Sequence, residues 1–418
     1  MDDGAVNVSG FSRDELAKIG PAMQGVIDQG LLSGVVTLLW RNGEVAQVTT
    51  NGMRDIEAGA PMQRDTIFRI ASMTKPITSV AALMLMEEGK LGLDDPITRW
   101  LPEFADMVVL ADPHGPLDQT YPAPRDITVE DLMTHRAGLA YGFTSIGPIA
   151  HAHQKALGEV LNTDMEPDAW LQALGGLPLS YPPGERFHYS HATDVLGYLV
   201  GRIEGKPFRE VLFERIFDPL GMVDTDFWIP PEKADRAAVV YRINTAEDGR
   251  LDPVPFKAYT APPAFTGGGG GLASTADDYL KFARMLLNKG EVDGVRLLKP
   301  ETVELMLANR LTDAQRAIPF MGFPFWMAQG FGLGVSVTLD AEKQAWMGAG
   351  SDGAFGWPGA FGTWWRGDPK ENMVMLYLIQ NSMPLEPEAA AQLATGQRMA
   401  AQAALPMFQN LTYGAIQR

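Results

Sequence analysis

The sequence predicts an α/β protein of the α+β type, in which both ends of the chain build one antiparallel sheet and a mainly helical domain is inserted between them. Three observations support this prediction. β-rich stretches occur near the start and again after about residue 331, helical segments with long Pro- and Gly-bearing loops separate them, and short turns join neighbouring β-rich stretches. We expect a discontinuous sheet domain, residues 1–90 and 291–418, and a helical domain, residues 91–290.

The first predicted elements are a helix and a hairpin. Apolar residues recur at helical spacing between Ser12 and Gln29, with Ser12 placed to cap the N-terminus of the helix. The stretch GVVTLLWRNGEVAQVTTNG then predicts two strands joined at Asn42 and Gly43, because Asn-Gly favours the tight turn of a hairpin.

The next predicted element is an apolar helix over residues 73–89. Pro76 limits where it begins, because proline lacks the N–H of an interior helical bond and fits only in the first turn. Ser72 therefore lies at or just before the first helical residue, with Lys75 in the first turn. Gly89 is placed to end the helix.

The C-terminal part of the chain predicts a capped helix, a strand region and a last helix. In TGGGGGLASTADDYLKFARMLL, Ser274 and Asp277 have the spacing of a capping box. FGLGVSVTL, GAFGWPGAFGTWWRG and NMVMLYLIQ predict strands, the last two joined by a turn around Asp368, and an Ala-rich helix follows at about 387–404.

Composition narrows the classes of function. The 418 residues carry a formal net charge of -17, which repels nucleic acid and anionic membranes, so neither is an expected partner. The absence of cysteine excludes disulfides, thiolate zinc sites and a cysteine nucleophile. No run approaches the roughly 20 apolar residues of a membrane span, and the acidic start lacks the pattern of an export signal, so we expect a cytoplasmic protein.

Ser72 and Lys75 form the first candidate site. A serine hydroxyl becomes a good nucleophile when a base takes its proton, and a lysine three positions later lies on the same helical face. The helix N-terminus also offers N–H groups to a developing oxyanion. The alternative from these residues alone is a helix cap beside a solvated lysine.

Two further motifs give this pair a context. SMTK (72–75), YSH (189–191) and WPG (357–359) occur in the order and approximate spacing of the three active-site motifs of the serine β-lactamase and penicillin-binding-protein superfamily. LMTHRAGL, PGERFHYS and GGLASTADDYLKF resemble accessory segments of the branch that contains class C β-lactamases and family VIII carboxylesterases. The resemblance covers residues 15 to 400, and it implies an active site at the interface of the two domains.

The resemblance implies a role for each matching residue. Ser72 would be the acylated nucleophile, Lys75 the group that accepts or relays its proton, and Tyr189 the second acid/base. Gly359 would let the last strand run close beneath the substrate. The backbone N–H groups of Ser72 and Ala360 would form the oxyanion hole.

Two positions depart from the β-lactamase pattern. Trp357 replaces the lysine that begins the third motif and attracts the carboxylate of a β-lactam or peptide, so we expect the pocket to favour neutral substrates with apolar groups. His191 replaces the usual asparagine of the second motif. It would contact substrate, orient Tyr189 or Lys75, or cap the helix at 191–204.

The resemblance therefore implies a serine carboxylesterase that acts on small neutral esters through an acyl-enzyme, as family VIII esterases do, without metal or other cofactor. A β-lactamase, a D-amino-acid peptidase and an acyltransferase are alternatives, with Arg366 as a substitute for the missing lysine. A sensor that is acylated without turnover is a further alternative. The oligomeric state is left open.

Other notable residues favour structural roles. Ser351 in AGSDG lacks the first glycine of a nucleophile elbow, and the glycine run at 267–271 lacks the Gly-Lys-Ser/Thr ending of a phosphate loop. His151 and His153 have no carboxylate at zinc-ligand spacing. The aromatic and Met-rich segment 319–332 either lines a substrate pocket or belongs to the core.

Overall fold

An eight-stranded antiparallel sheet is the central feature of the computed structural model. The structure describes residues 7–158, 161, 163–243, 251–254, 259–382 and 397–417. In chain order the strands are β1 (Gly34–Arg41), β2 (Glu44–Asp55), β3 (Ala60–Pro61), β4 (Gln329–Phe331), β5 (Ser336–Thr338), β6 (Phe355–Gly356), β7 (Trp364–Asp368) and β8 (Met373–Leu378). They lie in the order β4-β5-β6-β7-β8-β1-β2-β3. The predicted fold class, with a sheet drawn from both ends of the chain, is confirmed.

The α-helices of the described residues are α1 (Arg13–Leu16), α2 (Ile19–Asp28), α3 (Thr74–Glu87), α4 (Val129–Met133), α5 (Pro148–Leu157), α6 (Pro167–Gly175), α7 (Ala192–Glu204), α8 (Phe208–Leu212), α9 (Asp218–Leu220), α10 (Ala276–Leu287), α11 (Pro300–Leu307), α12 (Asp313–Arg316), α13 (Ala341–Gln344) and α14 (Gln397–Gly414). A π-helical turn follows α8 at Phe213–Phe217. Short 3-10 turns occur at Ala71–Met73, Ile97–Arg99, Pro102–Phe104, Gly142–Thr144, Pro231–Arg236, Phe325–Met327 and Ala345–Met347. Five small antiparallel pairs complete the structure: Asn7–Val8 with Phe11–Ser12, Phe68–Arg69 with Ala273–Ser274, Val108–Leu110 with Thr120–Pro122, Tyr241–Ile243 with Leu251–Pro253, and Glu291–Val292 with Val295–Arg296. In the described part of the chain, no helix has both the length and the apolar character that crossing a bilayer requires.

Both faces of the sheet are covered by helices. Every residue of β1 is buried, and successive side chains point to opposite faces. Val36 and Leu38 join the larger core with α3, α7 and α10, whereas Val35 and Leu39 join a smaller core with α2 and α14. Burying one aliphatic side chain fully contributes about 1.5–3 kcal/mol to the stability of the fold. Burial on both faces therefore holds β1 between the two helix layers, of which the one with α3 and α7 carries the candidate site.

The hairpin between β1 and β2 forms as predicted. Asn42 and Gly43 connect the strands with φ angles of 52° and 100°, the left-handed conformations that a two-residue hairpin turn requires. On the side of β1 away from β2, β8 pairs with β1, from Met373 opposite Arg41 to Leu378 opposite Val36. The two ends of the chain therefore meet in the middle of the sheet.

The N-terminal helix differs from the prediction. Ser12 caps only α1, accepting a hydrogen bond from the Glu15 N–H at 3.4 Å, and a second helix, α2, begins at Ile19. The physical reason is Pro21, which cannot occupy the interior of a continuous helix and instead lies in the first turn of α2.

The start of α10 and the end of the last helix also differ from the prediction. The cap of α10 is Thr275, whose hydroxyl accepts from the Asp278 N–H at 3.3 Å, while the predicted Ser274 hydroxyl hydrogen-bonds Thr225 instead. The last helix is α14, which ends ten residues later than the predicted end at 404. Residues 387–396 of that prediction lie outside the described residues.

Candidate active site

Ser72 and Lys75 lie where the chain enters α3. Ser72 is the middle residue of the 3-10 turn, and Pro76 falls in the first turn of the helix, where proline is tolerated. Lys75 Nζ donates to Ser72 Oγ at 3.2 Å, and the lysine is only 1% exposed. Ala71 has a positive φ of 43°, so the residue before Ser72 is held in a conformation that non-glycine residues seldom adopt. The lysine is therefore buried beside the serine, and the solvated-lysine alternative is wrong.

Tyr189 reaches the same serine from the start of α7. Its hydroxyl donates to Ser72 Oγ at 2.7 Å, and Lys75 Nζ lies 4.5 Å from the centre of its ring. The packing of α7 on α3 brings these residues together. The buried ring of His135 lies 4.6 Å from the Tyr189 ring, and burial lowers the pKa of His135 well below its usual value, so a neutral imidazole supports the tyrosine.

Trp357 completes the contacts of Tyr189. It lies in the connection between β6 and β7, is 3% exposed, and its Nε1–H donates to the Tyr189 hydroxyl at 3.1 Å. The third motif thus places a neutral hydrogen-bond donor on Tyr189, where the related β-lactamase pattern has a lysine.

The glycine of the third motif lies in a turn, which corrects the expectation of a strand at Gly359. Its N–H donates to the Thr363 carbonyl at 2.7 Å, and Thr363 Oγ1 donates to the Ile70 carbonyl at 3.2 Å. A Cβ on Gly359 would overlap the Ile70 carbonyl, so glycine lets this turn lie against the segment that leads to Ser72. Ala360 packs in the same small cluster as Ala71. The oxyanion hole of Ser72 and Ala360 stays a prediction.

A buried polar network surrounds Lys75, and sequence reasoning missed the roles of Tyr141, Gly269 and Asp194 in it. Lys75 Nζ donates to the Gly269 carbonyl at 2.6 Å and to the Tyr141 hydroxyl at 3.3 Å. The Gly269 N–H donates to Asp194 Oδ1 at 2.7 Å, and the Tyr141 hydroxyl donates to Asp194 Oδ2 at 3.4 Å. Burial, with Asp194 nearby, raises the pKa of Tyr141 well above its usual value, so this phenol stays neutral.

His191 belongs to this network. Its Nδ1 lies 2.9 Å from Asp194 Oδ2, and its ring packs edge-on against Tyr141 at 4.3 Å. It occupies the N-cap position of α7 without a capping hydrogen bond, so the capping alternative is wrong. Its predicted contact with substrate stays a prediction.

The aromatic segment 319–332 divides between the two predicted roles. Trp326 and Phe331 are buried in a cluster with Tyr189 and Trp357, as core residues. Phe320 is partly exposed, and its ring centre lies 5.8 Å from that of Tyr189, at the surface side of the cluster. The Tyr189 ring therefore lies in mainly aromatic surroundings.

The alternative residues lie elsewhere. Ser351 is buried in the loop before β6, and Arg366 donates to the Ala349 carbonyl at 2.6 Å with its guanidinium over Trp364. His153 stacks on His191, and burial lowers its pKa to about 3. Among the residues that the structure describes, no three His, Cys, Asp or Glu side chains are grouped so that they could hold a metal ion.

Comparison with known proteins identifies the family of the chain. The Beta-lactamase family model matches residues 19–398. Protein Rv1367c of Mycobacterium tuberculosis is 50% identical over 397 residues, covering 94% of this chain and 98% of that protein. Esterase EstB of Burkholderia gladioli is 33% identical over 402 residues, covering 91% and 95%.

A solved structure shows the same fold. The structure described as "EstCE1, a hydrolase with promiscuous acyltransferase activity" superposes with a TM-score of 0.77 at 26% identity, covering 94% of this chain and 99% of that one. Family model, relatives and solved structure each cover most of the chain, so the protein belongs to the β-lactamase family, within the superfamily of β-lactamase-like serine hydrolases.

Proposed function

We propose that the protein is a serine carboxylesterase of the family VIII type, which hydrolyses small neutral esters through an acyl-enzyme on Ser72. The observation that carries the proposal is the position of Ser72 Oγ, which lies within hydrogen-bond distance of both Lys75 Nζ and the Tyr189 hydroxyl. A nucleophile that is shared by two proton-transfer groups is what acyl transfer requires.

The proposed reaction has two halves. In the reactive form the Tyr189 hydroxyl has given its proton to solvent, and the Lys75 ammonium balances the charge of the phenolate. As Ser72 Oγ attacks the ester carbonyl carbon, its proton passes to this phenolate oxygen, and negative charge develops on the ester oxygen. Tyr189 then gives this proton to the departing alkoxide, which leaves as the alcohol. Water attacks the acyl-serine in the second half, its proton takes the same route through Tyr189 to Ser72 Oγ, and the carboxylic acid is released.

Trp357 supports esters over β-lactams and peptides as substrates. The ammonium that would attract a substrate carboxylate is replaced by an indole, and the indole N–H is already bonded to Tyr189. With a net charge of -17 on the protein, an anionic substrate gains little at this position.

A neighbouring cavity has the size for a small uncharged group. Its volume is about 330 Å³, and its walls combine the apolar side chains of Leu161, Phe227 and Phe265 with the carboxylates of Asp164 and Asp194. Pockets of this size hold small ligands, and two carboxylates in the wall disfavour anionic groups.

Transfer of the acyl group to an alcohol is a second candidate, favoured by the description of EstCE1 as a hydrolase with promiscuous acyltransferase activity. The same acyl-serine would react with an alcohol in place of water, giving a new ester. Product analysis with a small alcohol in the assay separates the two activities.

Paired kinetics test the proposal. We expect p-nitrophenyl butyrate to be turned over with a kcat/KM at least about 10²-fold above that for a chromogenic cephalosporin, and Ser72→Ala to abolish turnover in a folded protein. Efficient cephalosporin turnover would assign the protein to the β-lactamases. A stable acyl-enzyme without turnover would identify a sensor.

A further inference from the structure

Asp194 is a buried carboxylate for which the proposed reaction has no step. It lies in the first turn of α7, five residues after Tyr189, and is 4% exposed. Both of its oxygens are engaged, Oδ1 by the Gly269 N–H and Oδ2 by His191 and the Tyr141 hydroxyl. A carboxylate is costly to bury unless hydrogen bonds and charge compensate it, so these contacts need an explanation.

Two bridges connect this carboxylate to Lys75. The Gly269 peptide donates its N–H to Asp194, and its carbonyl accepts from Lys75 Nζ at 2.6 Å. The Tyr141 hydroxyl lies 3.3 Å from Lys75 Nζ and 3.4 Å from Asp194 Oδ2, so the ammonium and the carboxylate are less than about 7 Å apart. At that separation, and at an effective dielectric constant of about 20, one unit charge moves the titration of another by about one to two pH units.

We propose that Asp194 is a positioning residue, which holds the Gly269 carbonyl and the Tyr141 hydroxyl on Lys75 and supplies the negative charge that sets the proton balance of the Lys75–Tyr189 pair. The inference rests on the proposed role of that pair in ester hydrolysis. Asp194 itself transfers no proton in the proposed reaction.

Other ionisable groups face this network. His191 bonds Asp194 directly, and His153 from α5 stacks on His191 with its pKa lowered to about 3 by burial. Neutral His135 packs on the Tyr189 ring from the loop after α4, and Asp164 lines the same cavity as Asp194. These groups stay in place in an Asp194 variant, so a shift between variant and parent reports the net charge lost from Asp194 and its partner His191.

Asp194→Asn is the primary test, because the amide keeps the size and one acceptor oxygen but removes the charge. Without that charge the Lys75–Tyr189 pair gives up protons more readily. Both limbs of the kcat/KM pH profile for p-nitrophenyl butyrate therefore move to lower pH, by about one unit. We also expect kcat at the new optimum to fall about 10-fold or more with KM nearly unchanged, since Lys75 is held less firmly. Asp194→Glu, which keeps the charge, restores the positions of the limbs.

Asp278→Asn is the matched control. Asp278 is 2% exposed and bonds Thr225, the Asp224 N–H and Lys281, none of which contacts Lys75 or Tyr189. Asp278→Asn should lower the thermal midpoint of unfolding as Asp194→Asn does, and it should leave both limbs of the kcat/KM pH profile in place. If Asp194→Asn lowers only the midpoint, with limbs and kcat like those of the control, Asp194 is merely structural and the inference is wrong.

Two further measurements keep the outcome decisive. The rate of Ser72 labelling by a fluorophosphonate, followed by intact mass against pH, reads the same proton balance without any ester. If the ester is not hydrolysed but the rate of Ser72 labelling still depends on pH, the proposed function alone is contradicted. If the pH profile of labelling is the same in Asp194→Asn as in the parent, the inference alone is contradicted. If Asp194→Asn does not fold, Tyr141→Phe removes one bridge; a roughly 3- to 10-fold loss of labelling rate supports the inference, and an unchanged rate overturns it.

Discussion

Replacing Trp357 with phenylalanine isolates the hydrogen bond that the third motif makes to Tyr189. The substitution keeps an apolar ring in the aromatic cluster and removes the Nε1–H that donates to the Tyr189 hydroxyl at 3.1 Å. In the proposed reaction the Tyr189 oxygen carries negative charge before it takes up the Ser72 proton. We expect this donor to matter more in the transition state than in the resting enzyme.

The size of the effect follows from the strength of such a bond. A hydrogen bond to a charged group contributes about 1.5–3 kcal/mol, and each 1.36 kcal/mol is a factor of ten in rate, so kcat/KM should fall about 13- to 160-fold. A bond between neutral groups, at about 0.5–1.5 kcal/mol, would give about 2- to 13-fold. A fall beyond that range therefore indicates a charged Tyr189 oxygen in the transition state.

The assay compares p-nitrophenyl butyrate kinetics of Trp357→Phe with those of Trp326→Phe. Trp326 is 2% exposed in the same cluster, with its ring 4.7 Å from Phe187, so its variant loses similar packing. We expect the control to stay within threefold of the parent. If kcat/KM of Trp357→Phe matches that of the control, the indole N–H has no part in catalysis, and its proposed contribution to the transition state is refuted.

Three other predictions concern proton transfer, charge and acid stability. Tyr189→Phe should lower kcat by about 10²-fold or more, as expected for an acid/base group, and a change below threefold would remove Tyr189 from the mechanism. Trp357→Lys should raise the ratio of kcat/KM for an anionic cephalosporin to that for a neutral ester, because it restores the missing ammonium; an unchanged ratio would contradict the charge argument. Burial lowers the pKa of His153 to about 3 and that of His135 well below its usual value, so the unfolded chain binds more protons than the fold below about pH 6.5. The unfolding free energy is retained above that pH and should fall by about 2 kcal/mol per histidine at pH 5. The fall is measured as a lower urea midpoint at pH 5 than at pH 7. Equal midpoints at the two pH values would contradict this prediction.

The elements that could be predicted from the sequence are those set by local chemistry. Asn42-Gly43 specifies a hairpin turn and Pro76 fixes where α3 begins, so both were predictable. The Ser274 cap was not, because that hydroxyl is used by Thr225, which lies 49 residues away in the chain. A tertiary contact of this kind leaves no trace in local spacing.

The same distinction applies to the candidate site. Ser72 and Lys75 share one helix start, and the order of three motifs pointed to Tyr189 and Trp357. Tyr141, Gly269 and Asp194 were missed because they come from three separate segments that only the fold brings to Lys75. One signal was available for Asp194, a carboxylate five residues after the motif tyrosine that is followed by the apolar run Val195–Leu196.

Rapid-quench intact-mass analysis during turnover of p-nitrophenyl butyrate, with the acylated peptide located by sequencing, shows directly whether Ser72 forms the acyl-enzyme. We expect one butyryl group on Ser72 that forms and decays at rates consistent with kcat, and none in Ser72→Ala. An adduct on another residue, Ser351 included, or full turnover by Ser72→Ala, would contradict this expectation.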